Sequence, residues 1–133
     1  MSAILNTKKA CERLLATLNI PTAYENTNFV PPVGLYLRTQ FVIKPPLSPT
    51  IGAGYVREQI IFQVFICDVL NKGTANAIQV AEQIRGLFYQ SLSLQESDST
   101  IHIFEVPQIS GSLVTSDRLV VPVLINLATE QFS

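Results

Sequence analysis

Charge is what this sequence has least of: Lys, Arg, Asp and Glu make up 14% of its 133 residues, against roughly 25% in a typical soluble domain. A free subunit would be poorly protected by charge, and part of its surface is expected to lie against a partner or in a symmetric oligomer. The alternative is a monomer with a neutral surface of Ser, Thr, Gln and Asn, which the chain also holds in number. Nine Lys and Arg against ten Asp and Glu leave a net charge of -1. That offers no field to draw a phosphate backbone, and nucleic-acid recognition is not expected. No stretch approaches the ~20 apolar residues of a membrane span. The amino end also lacks a basic segment followed by an apolar run, so the protein is expected to stay in the cytoplasm where it is made.

Histidine and cysteine are equally sparse. His102 is the single histidine, with no partner at metal-ligand spacing, and Cys11 and Cys67 lie on apolar-patterned segments far apart in sequence. Two such thiols in a chain without an export signal read as reduced core residues. A reactive cysteine would need His102 beside it. Gly52-Ala53-Gly54 lacks the spacing of a phosphate loop, Ser110-Gly111-Ser112 is not a nucleophile elbow, and the glutamates are scattered. Neither catalysis, nor a cofactor, nor a metal is indicated. An enzyme reading would require a pocket that brings His102 beside Cys67, Glu58 or Asp68.

What is present is core-forming material: 47% of residues are hydrophobic, enough for one domain spanning residues 1–133. Ile4, Cys11, Leu14, Leu15 and Leu18 recur at helical spacing, predicting a helix from Ser2 to Leu18 that Pro21 ends. A short extended piece follows from Thr22 to Asn26. Val33 to Ile43 is rich in β-branched and aromatic residues and reads as a strand weakened at Gly34. Tyr55 to Val69 reads as a second, pairing with it as an antiparallel hairpin. Lys44 to Gly54, with three prolines and two glycines, is the connecting tip. Fifteen strand residues reach roughly 50 Å, more than the ~36 Å diameter expected of the domain. Either a bulge breaks the hairpin or its tip projects toward another molecule, mobile until a partner orders it.

Thr74 is the expected N-cap of a second helix, whose stripe of Ala77, Ile78, Ala81, Ile84 and Phe88 runs to Tyr89. A polar loop from Ser91 to Thr100 turns at Ser97-Asp98-Ser99. Strands are expected at Ile101 to Val106 and Leu119 to Leu127, with a short one at Leu113 to Thr115. The expected fold is α+β: an antiparallel or mixed sheet with a long hairpin and two helices packed on one face. Phe62, Val64 and Ile66 then point one way and Phe65, Cys67 and Val69 the other, beside Gln63. No third helix covers that second face, which leaves it for a partner.

The order of several segments is similar to one family. Tyr24-Glu25-Asn26 followed by Phe29-Val30-Pro31-Pro32-Val33-Gly34-Leu35-Tyr36-Leu37-Arg38 resembles a segment of the small tail-terminator-like proteins of long-tailed bacteriophages. Ile61-Phe62-Gln63-Val64, Ala81-Glu82-Gln83-Ile84 within the second helix, and Val121-Pro122-Val123 resemble it further on. The resemblance implies a small α+β subunit of a ring, usually of six, that stops tail-tube growth and presents a surface to the head connector. It implies no substrate and no cofactor. The implied partners are further copies of the chain, the tail tube protein and a head-completion protein, and the implied place is the head-proximal end of the virion tail. A neck protein that joins head and tail is the alternative within this class; a ligand-binding or catalytic α+β domain is the alternative outside it. The residues expected at the contacts lie along the hairpin: Arg38, Lys44, Leu47, Ile51, Tyr55, Arg57, Gln63 and Phe65.

Overall fold

The computed structural model describes residues 2–46 and 55–132, with the side chains of residues 55, 131 and 132 left out of the description. The first helix, α1, spans Ala3–Ala16, and the Ser2 hydroxyl caps it by accepting the Leu5 N–H at 3.2 Å. Its buried face carries Ala3, Ala10, Cys11 and Leu15 together with Asn6 and Thr7. The hydroxyl of Thr7 donates to the carbonyl of Ala3 at 2.7 Å, which satisfies it within the helix. Asn19, at φ 57°, turns the chain out of the helix just before Pro21.

Strand β1 (Thr22–Ala23) pairs in parallel with β2 (Tyr36–Ile43), so the sheet is mixed. The remaining pairings are antiparallel, and the strand order is β1-β2-β3-β8-β5-β4, with β6 and β7 also paired to β8. These further strands are β3 (Tyr55–Asp68), β4 (Ser93–Glu96), β5 (Ser99–Ile103), β6 (Gln108–Ile109), β7 (Leu113–Val114) and β8 (Leu119–Phe132). The second helix, α2, spans Ala75–Leu87; Thr74 holds its N-cap position without a capping side-chain bond.

The expected hairpin is only partly what forms. β2 pairs with β3 over eight positions, Tyr36 with Cys67 through Ile43 with Ile60. β3 continues to Tyr55 without a bulge, because its other edge is matched by β8 along all fourteen residues, from Tyr55–Phe132 to Asp68–Leu119. The excess length therefore lies in residues 55–59 of β3, about 17 Å of a strand of about 46 Å at 3.3 Å per residue, which extend past β2 and keep β8 as their strand partner. Most of the expected tip, Leu47 to Gly54, lies outside the described residues. The segment expected as a polar loop from Ser91 to Thr100 instead forms the β4–β5 hairpin, turning at Ser97 with φ 55°. Strand β2 begins at Tyr36 rather than Val33, and Val69 lies just beyond β3.

Pro122 is the fourth residue of β8, inside a paired strand where proline is normally excluded for want of an N–H. Its carbonyl accepts from Ser110 N at 2.9 Å, so its missing N–H faces the gap between β6 and β7, where residues 110–112 carry no strand. The sheet tolerates proline there because that edge is already interrupted.

Alternate residues of the central strands face one core. Phe62, Val64 and Ile66 of β3 and Val121, Val123, Ile125 and Leu127 of β8 are buried with Cys11 and Leu15 of α1 and with Ala81, Ile84 and Phe88 of α2. Both helices thus pack on the same sheet face, as the patterning requires. Phe62 stacks on Phe41 at 4.6 Å between ring centroids and meets Phe88 at 5.7 Å; truncating it to alanine would cost about 3–5 kcal/mol. The sheet curls around α1, which touches both of its flanks. Lys8 lies 3.5 Å from Glu25 just after β1, while Asn6 donates to Ser99 at 2.9 Å and Arg13 pairs with Glu96 at 2.6 Å on the β4–β5 side.

Candidate assembly surface

The face of the sheet turned away from the helices carries several of the residues expected at contacts. Register brings Arg38 of β2, Phe65 of β3 and Pro122 of β8 into one row, with Gln40, Gln63 and Leu124 in the next. Arg38 is exposed, and its guanidinium lies 4.3 Å from the centroid of the half-buried Phe65 ring. The cation covers part of the aromatic face and keeps its charge in water. Cys67, on the same side, is buried, its thiol directed at the Phe65 carbonyl at 3.9 Å. Burial pushes that thiol up, against the pull of hydrogen bonds and of the Arg38 and Arg118 charges.

Arg57 stands apart from this group, toward the far end of β3. It faces Glu130 across the β3–β8 pair, and its guanidinium is 6.0 Å from the Phe104 ring. Lys44 is exposed just past β2, and its backbone N–H donates to Gln59 at 2.9 Å. Tyr55 pairs with Phe132, while Leu47 and Ile51 lie outside the described residues. The structure therefore groups Arg38, Gln63 and Phe65 and places Arg57 and Lys44 at a distance from them.

Strongly exposed apolar side chains concentrate elsewhere. Val30 and Val33 are 90% and 92% exposed on the loop before β2, and Leu113 and Val114 of β7 are 59% and 74% exposed. Arg118 joins the two segments. Its guanidinium donates to the carbonyls of Gly34 at 2.6 Å and Pro32 at 2.5 Å and lies 5.0 Å from the Tyr36 ring, which itself meets Phe29 at 5.3 Å. The Arg118 carbonyl in turn accepts from Thr115 N at 2.8 Å, closing the turn after β7. Sequence reasoning missed Arg118, and no local signal could have found it, since its acceptors are carbonyls more than eighty residues away.

The polar groups that could carry chemistry are dispersed. His102 and Cys67 register on β8 at Ala128 and Val120, eight positions apart, or about 26 Å. Cys11 is fully buried, its thiol pushed far above the usual range first by burial and then by the neighbouring Glu12 carboxylate. A Ser–His–Glu sequence of contacts does occur: Ser93 Oγ is 3.1 Å from His102 Nδ1, and His102 Nε2 is 3.7 Å from Glu130. These are cross-strand neighbours on the β4-β5-β8 surface, with the His102 side chain 43% exposed. Among the described residues, no group of three or more His, Cys, Asp or Glu is placed to hold a metal ion.

No curated protein matches the chain. Solved structures do include similar chains. One, of a protein whose name states no function, is 24% identical with a TM-score of 0.82; the match covers 100% of this chain and 98% of that one, a likeness of fold. The family model described as phage tail terminator protein matches residues 5–127. The matched span runs from the first turn of α1 through most of β8 and includes both the Arg38–Phe65 face and the loop held by Arg118. The chain belongs to the phage tail terminator family, a family of structural proteins of phage tail assembly.

Proposed function

We propose that the protein assembles as a ring, of six copies by family resemblance, on the head-proximal end of the tail tube, where it ends tube polymerisation and offers the surface for head attachment. The family match over residues 5–127 carries this reading. The architecture suits it. Both helices lie on one face of the sheet, so the Arg38–Gln63–Phe65 face is left to meet a neighbouring subunit or the tube. The β3–β8 extension provides a second, elongated element for such contacts, with Lys44, Tyr55 and Arg57 along it. The work is done by surfaces, without substrate or cofactor, and the partners are copies of the chain, the tail tube protein and a head-completion protein.

Tube length tests the proposal. Tail tube protein polymerised with the protein present should give tubes of limited length, and overlong tubes when it is withheld. Tubes of unchanged length distribution would overturn the terminator role. If tails of normal length then failed to join heads without it, the protein would be a neck joining protein instead.

A further inference from the structure

We propose that residues 27–34, the loop before β2, form a hinged strap that Arg118 latches over the Tyr36–Cys67 end of the sheet, and that the strap swings open as one piece while the core stays folded. The inference is independent of the ring reading. It starts from Cys67, which is only 3% exposed although it lies on the sheet face that carries no helix. Something other than a helix keeps water from it. Tyr36 is its partner across β2 and β3 and shares a hydrogen bond with its thiol, and the charge of Arg118 acts on both groups. The Tyr36 ring meets Phe29 of the loop at 5.3 Å and the Arg118 guanidinium at 5.0 Å. Arg118 in turn holds the loop at this place through the carbonyls of Pro32 and Gly34.

Little else ties the loop down. Among the described residues, the hydrogen bonds that join residues 28–34 to other segments are the two from Arg118. Thr27 bonds only locally, with its N–H and its hydroxyl both donating to the Tyr24 carbonyl. Val30 and Val33, at 90% and 92% exposed, add almost no packing. A segment with so few contacts opens at lower free energy than the sheet it rests on. Pro31 and Pro32 have fixed φ angles, so the middle of the loop moves as a stiff piece. The bends lie at its ends. Asn26 holds a left-handed φ of 58°, and Gly34, with open space where a Cβ would stand, has a freedom that its neighbours lack. Past Gly34 the chain is fixed again, because Leu35 packs against the core and β2 begins at Tyr36. Arg118 is itself half-buried, so water is at hand to replace the two carbonyls when the latch lets go.

The two native thiols test the strap, since Cys67 reports its opening and Cys11 that of the core. Pulses of N-ethylmaleimide on the full chain, read thiol by thiol by mass spectrometry, should label Cys67 at least about tenfold faster than the fully buried Cys11. Arg118→Ala should raise the ratio of the two rates by at least about a further tenfold. The direction separates opening from electrostatics, because the Arg118 charge favours the Cys67 thiolate and its loss alone would slow the reaction there. Phe29→Ala leaves Arg118 in place and should raise the ratio in the same direction. Equal labelling of both thiols in the native protein would overturn the proposal, since Cys67 would then open only with the core. A ratio unchanged in Arg118→Ala would remove the latch, and one unchanged in Phe29→Ala would leave Arg118 a local cover without a strap; either result overturns the proposal.

Discussion

Cys11 shows how burial alone sets a side chain's chemistry. Its thiol has no exposed surface and is held protonated, and Cys67 and Tyr36 are shifted upward in the same direction, chiefly by burial. Below the ordinary thiol value of 9.0, folded and unfolded chains both keep these protons. Above it the unfolded chain releases the thiol protons, and above 10.0 that of Tyr36, while the folded chain holds them to higher pH. Stability should therefore be fully present below about pH 8 and fall as pH rises beyond 9, by up to about 1.4 kcal/mol per pH unit for the fully buried Cys11. Urea midpoints between pH 7 and 10.5 check this, and Cys11→Ala should flatten the alkaline slope. A profile that stays level to pH 10.5 would mean that the thiol reaches solvent in the folded state.

Among the elements, β8 carries the most. It pairs with β3 along its whole length, and with β5, β6 and β7 along the opposite edge. Truncation after Thr129 should leave the core intact, since Leu127 and Thr129 remain, but it strips partners from Tyr55, Val56 and Arg57. Amide exchange at those three residues should rise by at least about tenfold while Ile60 to Ile66 stay protected. Equal loss of protection along β3 would show that the extension is integral to the core. The sequence made the helices and the central strands legible, because Cys11, Leu15, Ala81 and Ile84 follow the helical period and Phe62, Val64 and Ile66 alternate. It concealed β4, whose Ser93 and Gln95 face solvent and whose polar pattern matches a loop equally well. It also concealed which partner holds the far end of β3, because strand pairing is a long-range choice that no local pattern records.

At the scale of the whole molecule, the expected contact residues separate into groups with different surroundings. Arg38 and Phe65 are a stacked pair on the open face of the sheet, a feature visible in sequence only as alternation. Phe65→Ser should cost the folded subunit about 1 kcal/mol or little more, since the ring lies outside the main core, while reducing assembly on tail tubes. Denaturation midpoints alongside a tube-binding assay separate the two effects. A loss of 3–5 kcal/mol in the isolated subunit would assign the ring to the monomer's own packing. The exposed valines lay inside the very motif that carried the family resemblance. Their exposure was not legible, because Val30 reads as part of a turn and Val33 as the start of a strand, and neither reading shows the loop that Arg118 holds.

The position of β8 in the sheet also has a consequence for biosynthesis. β3 and β5 leave the ribosome well before it, yet they do not pair with each other; β8 is inserted between them. Helix α1, made first, meets Ser99 some ninety residues later. A nascent chain that has not yet delivered β8 has no continuous sheet, and its loop before β2 is not yet held, because Arg118, which bonds that loop, directly precedes the same strand. Contacts this distant along the chain make for slow, concerted closure rather than stepwise folding during translation. The Arg38–Phe65 sheet face and the loop held by Arg118 therefore arise together, in the same event that completes the domain.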